Sequence, residues 1–360
     1  MIDTLRFKIL GSKEIYNAIK NKGIERVMWD YAEDKQKHVS VYQLILVPSK
    51  ECKIYIQAQD YEHFFVEFSL PKVLFGTNVF MIYPEQVTAT LIEVYRIIRN
   101  FLKLPIDSID NWIVQRVDYS YVWKFDNAMQ ALWVLENMAK FQYPRKNVTI
   151  RDTSVTINGT TERMIFYLKH EEYVDKTYKK LAKTQPRIAE FLFEESKNTL
   201  RFEIVHMKAK LNSIFGSEVT YKEVLGEKYI ISTLNEALKT FCNSNTLISM
   251  TWHEAVELVY SKLSGREAFN LYGFLCMYYP YDMSQREYNR AFLKQNISPS
   301  TIYKYKEKFK EIGGGILFSN PEFKAIDLNI PNIRVINTED RVADIAKAIR
   351  DLRIDDLQSV

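Results

Sequence analysis

The sequence predicts an α+β chain: antiparallel sheet layers backed by packed helices over roughly its first 210 residues, followed by a mainly helical part. Three observations carry this. Runs rich in β-branched and aromatic residues with partial alternation fill 2–10, 39–47, 53–59, 63–69, 112–125 and 199–207, the pattern of half-buried strands. Asn158-Gly159 stands between two further runs, 154–157 and 160–169; both central residues of a type I′ hairpin turn need positive φ, which Asn-Gly supplies. Beyond about residue 210 strand patterns nearly vanish and helical spacing takes over. These changes divide the chain into an N-terminal α+β subdomain (1–110), a sheet subdomain (111–215) and a helical C-terminal domain (216–360).

The first four strands enclose a polar connector at 30–37, and 71–80 reads as a turn or loop punctuated by Gly76 and Asn78. Pro84 opens a helix, because proline at the first helical position forfeits no hydrogen bond. Val87, Leu91, Val94, Ile98 and Phe101 mark its apolar face, and Pro105 lies beyond its end. Strand 112–125 leads into a helix over about 127–140, and Pro144 breaks the chain before the Asn-Gly hairpin. A basic stretch of helical character follows, with Lys176, Lys179, Lys180, Lys183 and Arg187. In the C-terminal part, 284–293 reads as a helix and 295–297 as a short turn. Ser298 is then an N-cap with Pro299 at the first helical position, opening a second helix. That helix turns Ile302, Tyr305, Phe309 and Ile312 inward and Lys304 and Lys308 outward, so 284–311 fits a helix-turn-helix as well as an ordinary helical hairpin.

Composition excludes several classes. At 47% apolar and 26% charged over 360 residues, the chain is neither disordered nor fibrous. No apolar run approaches the roughly 18–20 residues that a membrane helix needs. The first residues lack a basic-then-apolar signal plan. Cys52, Cys242 and Cys276 are odd in number and widely spaced, which suits a reducing cytoplasm and no disulfide framework or thiolate zinc site. A net charge of +4 alone identifies no polyanion binder. Twenty-three Tyr and 21 Phe, several beside Lys or Arg, suit stacking on single-stranded bases as well as an aromatic core.

Strand alternation sorts the side chains between 112 and 207 into two faces. Arg116 shares a face with Asp118, Arg201 with Glu203, and Tyr167 with Lys169, while Phe166, Leu168, Phe202 and Ile204 look like core. Brought together, the polar faces supply two carboxylates for a hard cation such as Mg²⁺ or Mn²⁺, two guanidiniums and an ammonium for phosphate oxygens, and a phenol. A phenol with a pKa near 10 needs a base or a nearby cation before it can act as a nucleophile. The same Arg-x-Asp and Arg-x-Glu pairs also suit cross-strand ion pairs on a solvated face.

Several segments resemble the filamentous-phage gene II replication protein and its relatives, the II/X family of phage and plasmid replication proteins. They are Met1-Ile2-Asp3; Pro71-Lys72-Val73-Leu74 with Gly76, Asn78, Val79 and Phe80; Arg116-Val117-Asp118; Tyr167-Leu168-Lys169-His170 with Glu172; and Leu200-Arg201-Phe202-Glu203 with Phe215-Gly216. Their order and approximate spacing hold from Met1 to Gly216. The resemblance implies a nuclease domain in a rolling-circle replication initiator. Such a protein nicks one strand at an origin through tyrosine attack on a DNA phosphate, with Mg²⁺ assisting, and later rejoins the displaced strand. Its partners are origin DNA, melted or single-stranded at the nick, and the host helicase and polymerase, in the bacterial cytoplasm. By motif position Tyr167 is the nucleophile, with Lys169 and His170 beside it as catalytic candidates; Asp118, Glu203 and Glu172 are metal ligands. Arg116, Arg201, Lys176, Lys179, Lys180, Lys304 and Lys308 are candidate DNA contacts. Strict alternation turns His170 and Glu172 away from Tyr167 unless the strand ends or bulges near Lys169. Glu171 has the better parity, so Glu171 and Glu172 compete. Tyr173 and Tyr178 are alternative nucleophiles, since related nickases present their tyrosine from a helix. A non-catalytic origin-binding regulator on the same fold is the alternative reading.

Overall fold

A computed structural model of the protein describes residues 1–30, 37–49, 52–140, 146–239, 246–278, 298–314, 316–317, 325–328, 330 and 343–352. The chain opens β1 (Ile2–Leu10), α1 (Lys13–Lys22), β2 (Ile24–Asp30), β3 (Lys37–Ser49), β4 (Cys52–Ala58), β5 (His63–Ser69), α2 (Leu70–Phe75) and α3 (Pro84–Leu102). Next come β6 (Ile113–Lys124), α4 (Ala128–Lys140), β7 (Asn147–Arg151), β8 (Ser154–Asn158) and β9 (Glu162–Leu168). From β9 the chain passes directly into α5 (Lys169–Tyr173), a wider π turn (Val174–Tyr178) and α6 (Lys179–Leu181), then α7 (Pro186–Ser196), β10 (Thr199–Met207) and α8 (Lys208–Phe215). The remainder holds α9 (Tyr221–Val224), α10 (Glu227–Lys239), β11 (Thr246–Met250), α11 (Trp252–Lys262), α12 (Gly265–Tyr278), α13 (Pro299–Glu311), β12 (Ile316–Leu317) and β13 (Ala325–Asp327).

Ten strands form one sheet in the order β2-β3-β4-β5-β1-β6-β10-β9-β8-β7, and every pairing in it is antiparallel. The fold is therefore α+β, as the alternating runs predict. The sheet continues without a break through the β1–β6 pairing, so residues on either side of 110 share it.

One face of the sheet is largely apolar. Register sets Leu5 against Phe68 and Val117, Phe7 against Val66, and Phe202 against Phe166. Phe166 and Phe202 stack at 4.4 Å and 12°, a geometry worth about 0.5–1.5 kcal/mol beyond the area it buries. Helix α3 seats Val87, Leu91, Val94, Ile98 and Leu102 in the core. Among the described residues a second, smaller core joins α11, α12 and α13 through Val259, Leu271, Phe274 and Phe309. The Ser298 hydroxyl accepts from Thr301 N at 3.2 Å and caps α13 as the sequence predicts.

Some elements depart from expectation. The loop expected over 71–80 begins as helix α2, closed by Gly76 at φ 74°, a left-handed conformation that glycine adopts without penalty. Helix α1, strand β2 and edge strand β7 are additional elements, and the C-terminal part holds a small sheet in the order β12-β11-β13. The first helix and the turn of the expected helix-turn-helix lie outside the described residues.

His206, on the apolar face of β10, is buried between Tyr119 and Tyr229. Burial lowers its pKa to about 4, against the pull of Glu162 and with a smaller push from Lys210. An unfolded histidine takes its proton near 6.5, so between about 6.5 and 4 the unfolded chain binds the extra proton and stability falls as pH falls. The full effect is about 3 kcal/mol. Urea midpoints across this window should fall less steeply for His206→Asn than for the parent; equal slopes would overturn the assignment.

Candidate active site

The second face of the sheet is polar, and its centre is a buried ionic network. Register places Arg201 directly opposite Tyr167 on β9, and Glu203 opposite Ser120 on β6. The Tyr167 hydroxyl donates to Glu203 Oε1 at 2.8 Å. Arg201 Nε donates to the same oxygen at 2.8 Å. Its other nitrogens reach Asp3 at 2.8 Å, the Asn78 carbonyl at 2.8 Å and the Ser120 hydroxyl at 3.3 Å. Arg201 is fully buried. Burial works against its charge, but Tyr167, Asp3 and Glu203 outweigh that and raise its pKa. The expected phosphate contact at Arg201 is therefore corrected: its donors are spent inside the protein.

Asp118 lies two positions along β6 from Ser120, on the same face. Arg116 grips it with two bonds of 2.6 and 2.7 Å and also reaches Glu67 at 3.3 Å. Burial pushes the Asp118 carboxyl up to about 7 despite Arg116, and Glu203 and Asp3 add to that push. For Asp3 burial acts in the same sense, but Arg201, the Ser69 hydroxyl at 2.6 Å and nearby lysines prevail and lower its pKa.

Sequence reasoning missed Asp3. By parity it belongs with Leu5 and Phe7 on the core face. A register shift between Ile2 and Leu5 inserts an extra residue, and such a bulge reverses parity. Asn78 was missed as well: its carbonyl takes Arg201, and its side-chain oxygen takes Lys169 Nζ at 2.9 Å. Both residues lie in the segments that carry the family resemblance, which is the one signal that could have found them.

Strand β9 ends at Leu168, so Lys169 to Tyr173 follow helical geometry and strand parity stops applying. Lys169 is buried, 5.6 Å from the centre of the Tyr167 ring, and bonds Glu172 at 2.7 Å. Burial lowers its pKa to about 8, opposed by Glu172. Glu172 is held at about 2: burial acts to raise it, and Lys169 and Lys176 overcome that. Glu172, rather than Glu171, thus joins the cluster, as an ion-pair partner of two lysines. His170 turns to α7, with Nδ1 3.0 Å from the Ser196 hydroxyl and its ring on Phe193. Tyr173 is buried and donates to the Ala189 carbonyl at 3.0 Å, and Tyr178 packs on Phe193, so both tyrosines face α7. Lys176, Lys179, Lys180 and Lys304 are exposed, while Lys308 pairs with Glu267 at 2.9 Å.

The Tyr167 phenol is half-buried. Burial raises its pKa well above the usual value; Arg201 opposes this and Glu203 and Glu172 add to it. The resting hydroxyl is protonated, with its proton directed at a carboxylate, which is the arrangement of a nucleophile and its base. As to a cation, no three His, Cys, Asp or Glu side chains among the described residues are placed to hold one, so the expected trio of Asp118, Glu203 and Glu172 is not assembled. The pair Asp118 and Glu203 does suit Mg²⁺, which keeps several waters and binds through one or two carboxylates plus substrate phosphate. Burial disfavours the charged form of Asp118 even beside Arg116, so a bound cation would favour its carboxylate.

Among the described residues no helix is long and apolar enough to cross a membrane. No curated protein and no solved structure matches the chain. The family described as the N-terminal part of the phage gene II replication-associated protein matches residues 1–223, which takes in the whole polar network from Asp3 to Glu203. This match, more than half of the chain, agrees with the ordered motifs, and the protein belongs to that phage replication family.

Proposed function

We propose that the protein is a site-specific DNA-nicking and joining enzyme of a rolling-circle origin, with Tyr167 as nucleophile and Glu203 as the acceptor of its proton. The observation that carries this reading is the 2.8 Å bond from the Tyr167 hydroxyl to Glu203 Oε1. The phenol oxygen attacks a DNA phosphorus as its proton passes to Glu203. The bond from phosphorus to the 3′ oxygen breaks, that oxygen takes a proton from solvent water and leaves as a free 3′ hydroxyl, and the 5′ phosphate stays on Tyr167. Host polymerase extends the 3′ end while host helicase opens the duplex, in the bacterial cytoplasm. Rejoining reverses the attack, with Glu203 returning the proton. Arg201 holds the Glu203 carboxylate in place, and Lys169 adds positive charge beside the phenol. Asp118 and Glu203 would hold a divalent ion, which would supply charge stabilisation at the scissile phosphate.

The test uses end-labelled single-stranded DNA from the origin of the protein's own replicon, with Mg²⁺, Mn²⁺ or EDTA, read on denaturing gels. The parent is expected to form a covalent adduct only with a divalent ion, and Tyr167→Phe to bind the same DNA without forming one. An adduct on Tyr167→Phe would move the nucleophile to another tyrosine. One observation favours the alternative of a non-catalytic origin-binding regulator: Asp3, Asp118, Glu172 and Glu203 each already hold an internal cation. Intact origin binding by the parent with no cleavage in any metal would select it.

A further inference from the structure

The polar face extends well beyond the tyrosine, and three depressions on it share walls. The first, of about 350 Å³, is lined by Lys53 and Tyr55 of β4, Lys72 of α2, and Lys176 and Lys180 of the helical segment after β9. The second, of about 230 Å³, shares Tyr55 and Glu67 with the first and adds Arg6 and Phe65. The third, of about 310 Å³, shares Arg6 and Phe65 with the second and reaches Arg116 and Lys208. The shared walls make one track across β4, β5 and β1 to β6.

Its charge is positive. Glu172 in its wall is taken by Lys169 and Lys176, and Glu67 by Arg6 and Arg116. Lys53, Lys72 and Lys180 form no ion pair among the described residues. Two rings lie along the floor, Tyr55 and Phe65, both half-buried, with the Arg6 guanidinium 5.2 Å from the Phe65 centroid. A cationic groove with spaced aromatic rings is what a single strand requires: cations follow its phosphates and exposed bases stack on ring faces. A duplex keeps its bases turned inward and cannot use the rings. The track also abuts the tyrosine cluster. Ser69, in its wall, bonds Asp3, which bonds the Arg201 that stands opposite Tyr167.

We infer that this track seats the single strand flanking the nick, with Lys53, Lys72 and Lys180 on its phosphates and Tyr55 and Phe65 under its bases. As a path to the scissile phosphate it rests on the nicking reading; as a single-strand site it does not.

The test measures binding of a single-stranded origin oligonucleotide to full-length protein carrying Tyr167→Phe, which separates binding from adduct chemistry. Three lost phosphate contacts should lower the slope of log affinity against log salt by about 2 for Lys53→Gln/Lys72→Gln/Lys180→Gln, since each contributes about 0.7 on a single strand. The corresponding arginine triple variant should keep the slope. Tyr55→Leu/Phe65→Leu should weaken binding at least tenfold, in line with about 1–3 kcal/mol per stacked base, at an unchanged slope. An unchanged slope in the glutamine triple variant overturns the track even where the parent nicks normally. An equal loss of slope on duplex DNA overturns its single-strand character. A lowered slope confined to single strands upholds it even where no adduct forms on the parent protein.

Discussion

Replacing Arg201 with methionine is expected to cost about 3–5 kcal/mol of folding stability, the range for removing one partner of a buried ion pair. The side chain is fully buried and meets four acceptors at 2.8 to 3.3 Å on β1, β6, β10 and the segment after α2. Methionine restores most of the volume but none of the charge. Asp3 and Glu203 would then be neighbouring buried carboxylates without their shared cation, and the Asn78 carbonyl would lose its donor. Lysine should not rescue, because a single ammonium cannot reproduce the guanidinium fork. Adding Asp3→Asn and Glu203→Gln to Arg201→Met should recover at least half of the loss, since the stranded charges are then gone. Urea unfolding at pH 7 reads all three variants. A loss below about 1 kcal/mol for Arg201→Met, within the range of an exposed pair, would mean that the network is solvated and not the brace described above.

Much of this site was legible in the sequence, and the part that was not has physical causes. Alternation places Arg116 with Asp118 and Arg201 with Glu203, because β6 and β10 pair without a shift from Met207–Arg116 to Thr199–Lys124. Alternation fails at Asp3, where the bulge in β1 reverses parity. It also fails beyond Leu168, where α5 begins without a loop and Glu172 returns to the cluster by helical spacing. Helix α2 has six residues, too few to show a period, so its Pro71 and Gly76 read as turn signals rather than as a start and a stop. Edge strand β7 is largely exposed, and its alternation of Val148 and Ile150 with polar residues spans only five positions, too few to stand out. Burial of Arg201 was equally hidden: what covers it is the backbone of Asn78, 123 residues away, and no local pattern announces such a contact.

Glu203→Gln separates the two roles of that residue, and the expected result is a fall of about 10²–10⁴-fold in the rate of adduct formation, the usual contribution of a positioned general base. The glutamine oxygen can still accept from Tyr167 and from Arg201, so the geometry and DNA affinity should persist. What is lost is the capacity to take the proton. Raising the pH should not restore the rate, because burial, reinforced by Glu172, keeps the phenol well above its ordinary value and too little phenolate forms in the working range. Single-turnover adduct formation on the origin oligonucleotide, from pH 6 to 9, is the measurement. Glu203→Asp should fall between parent and glutamine, since the shortened acid keeps the base but withdraws it from the 2.8 Å contact. A Glu203→Gln rate within threefold of the parent would assign the proton to solvent and reduce Glu203 to a support for Arg201. The Arg201→Met variant would then reduce nicking only as far as it unfolds the sheet, so comparing the two variants at matched folded fraction distinguishes a base from a brace.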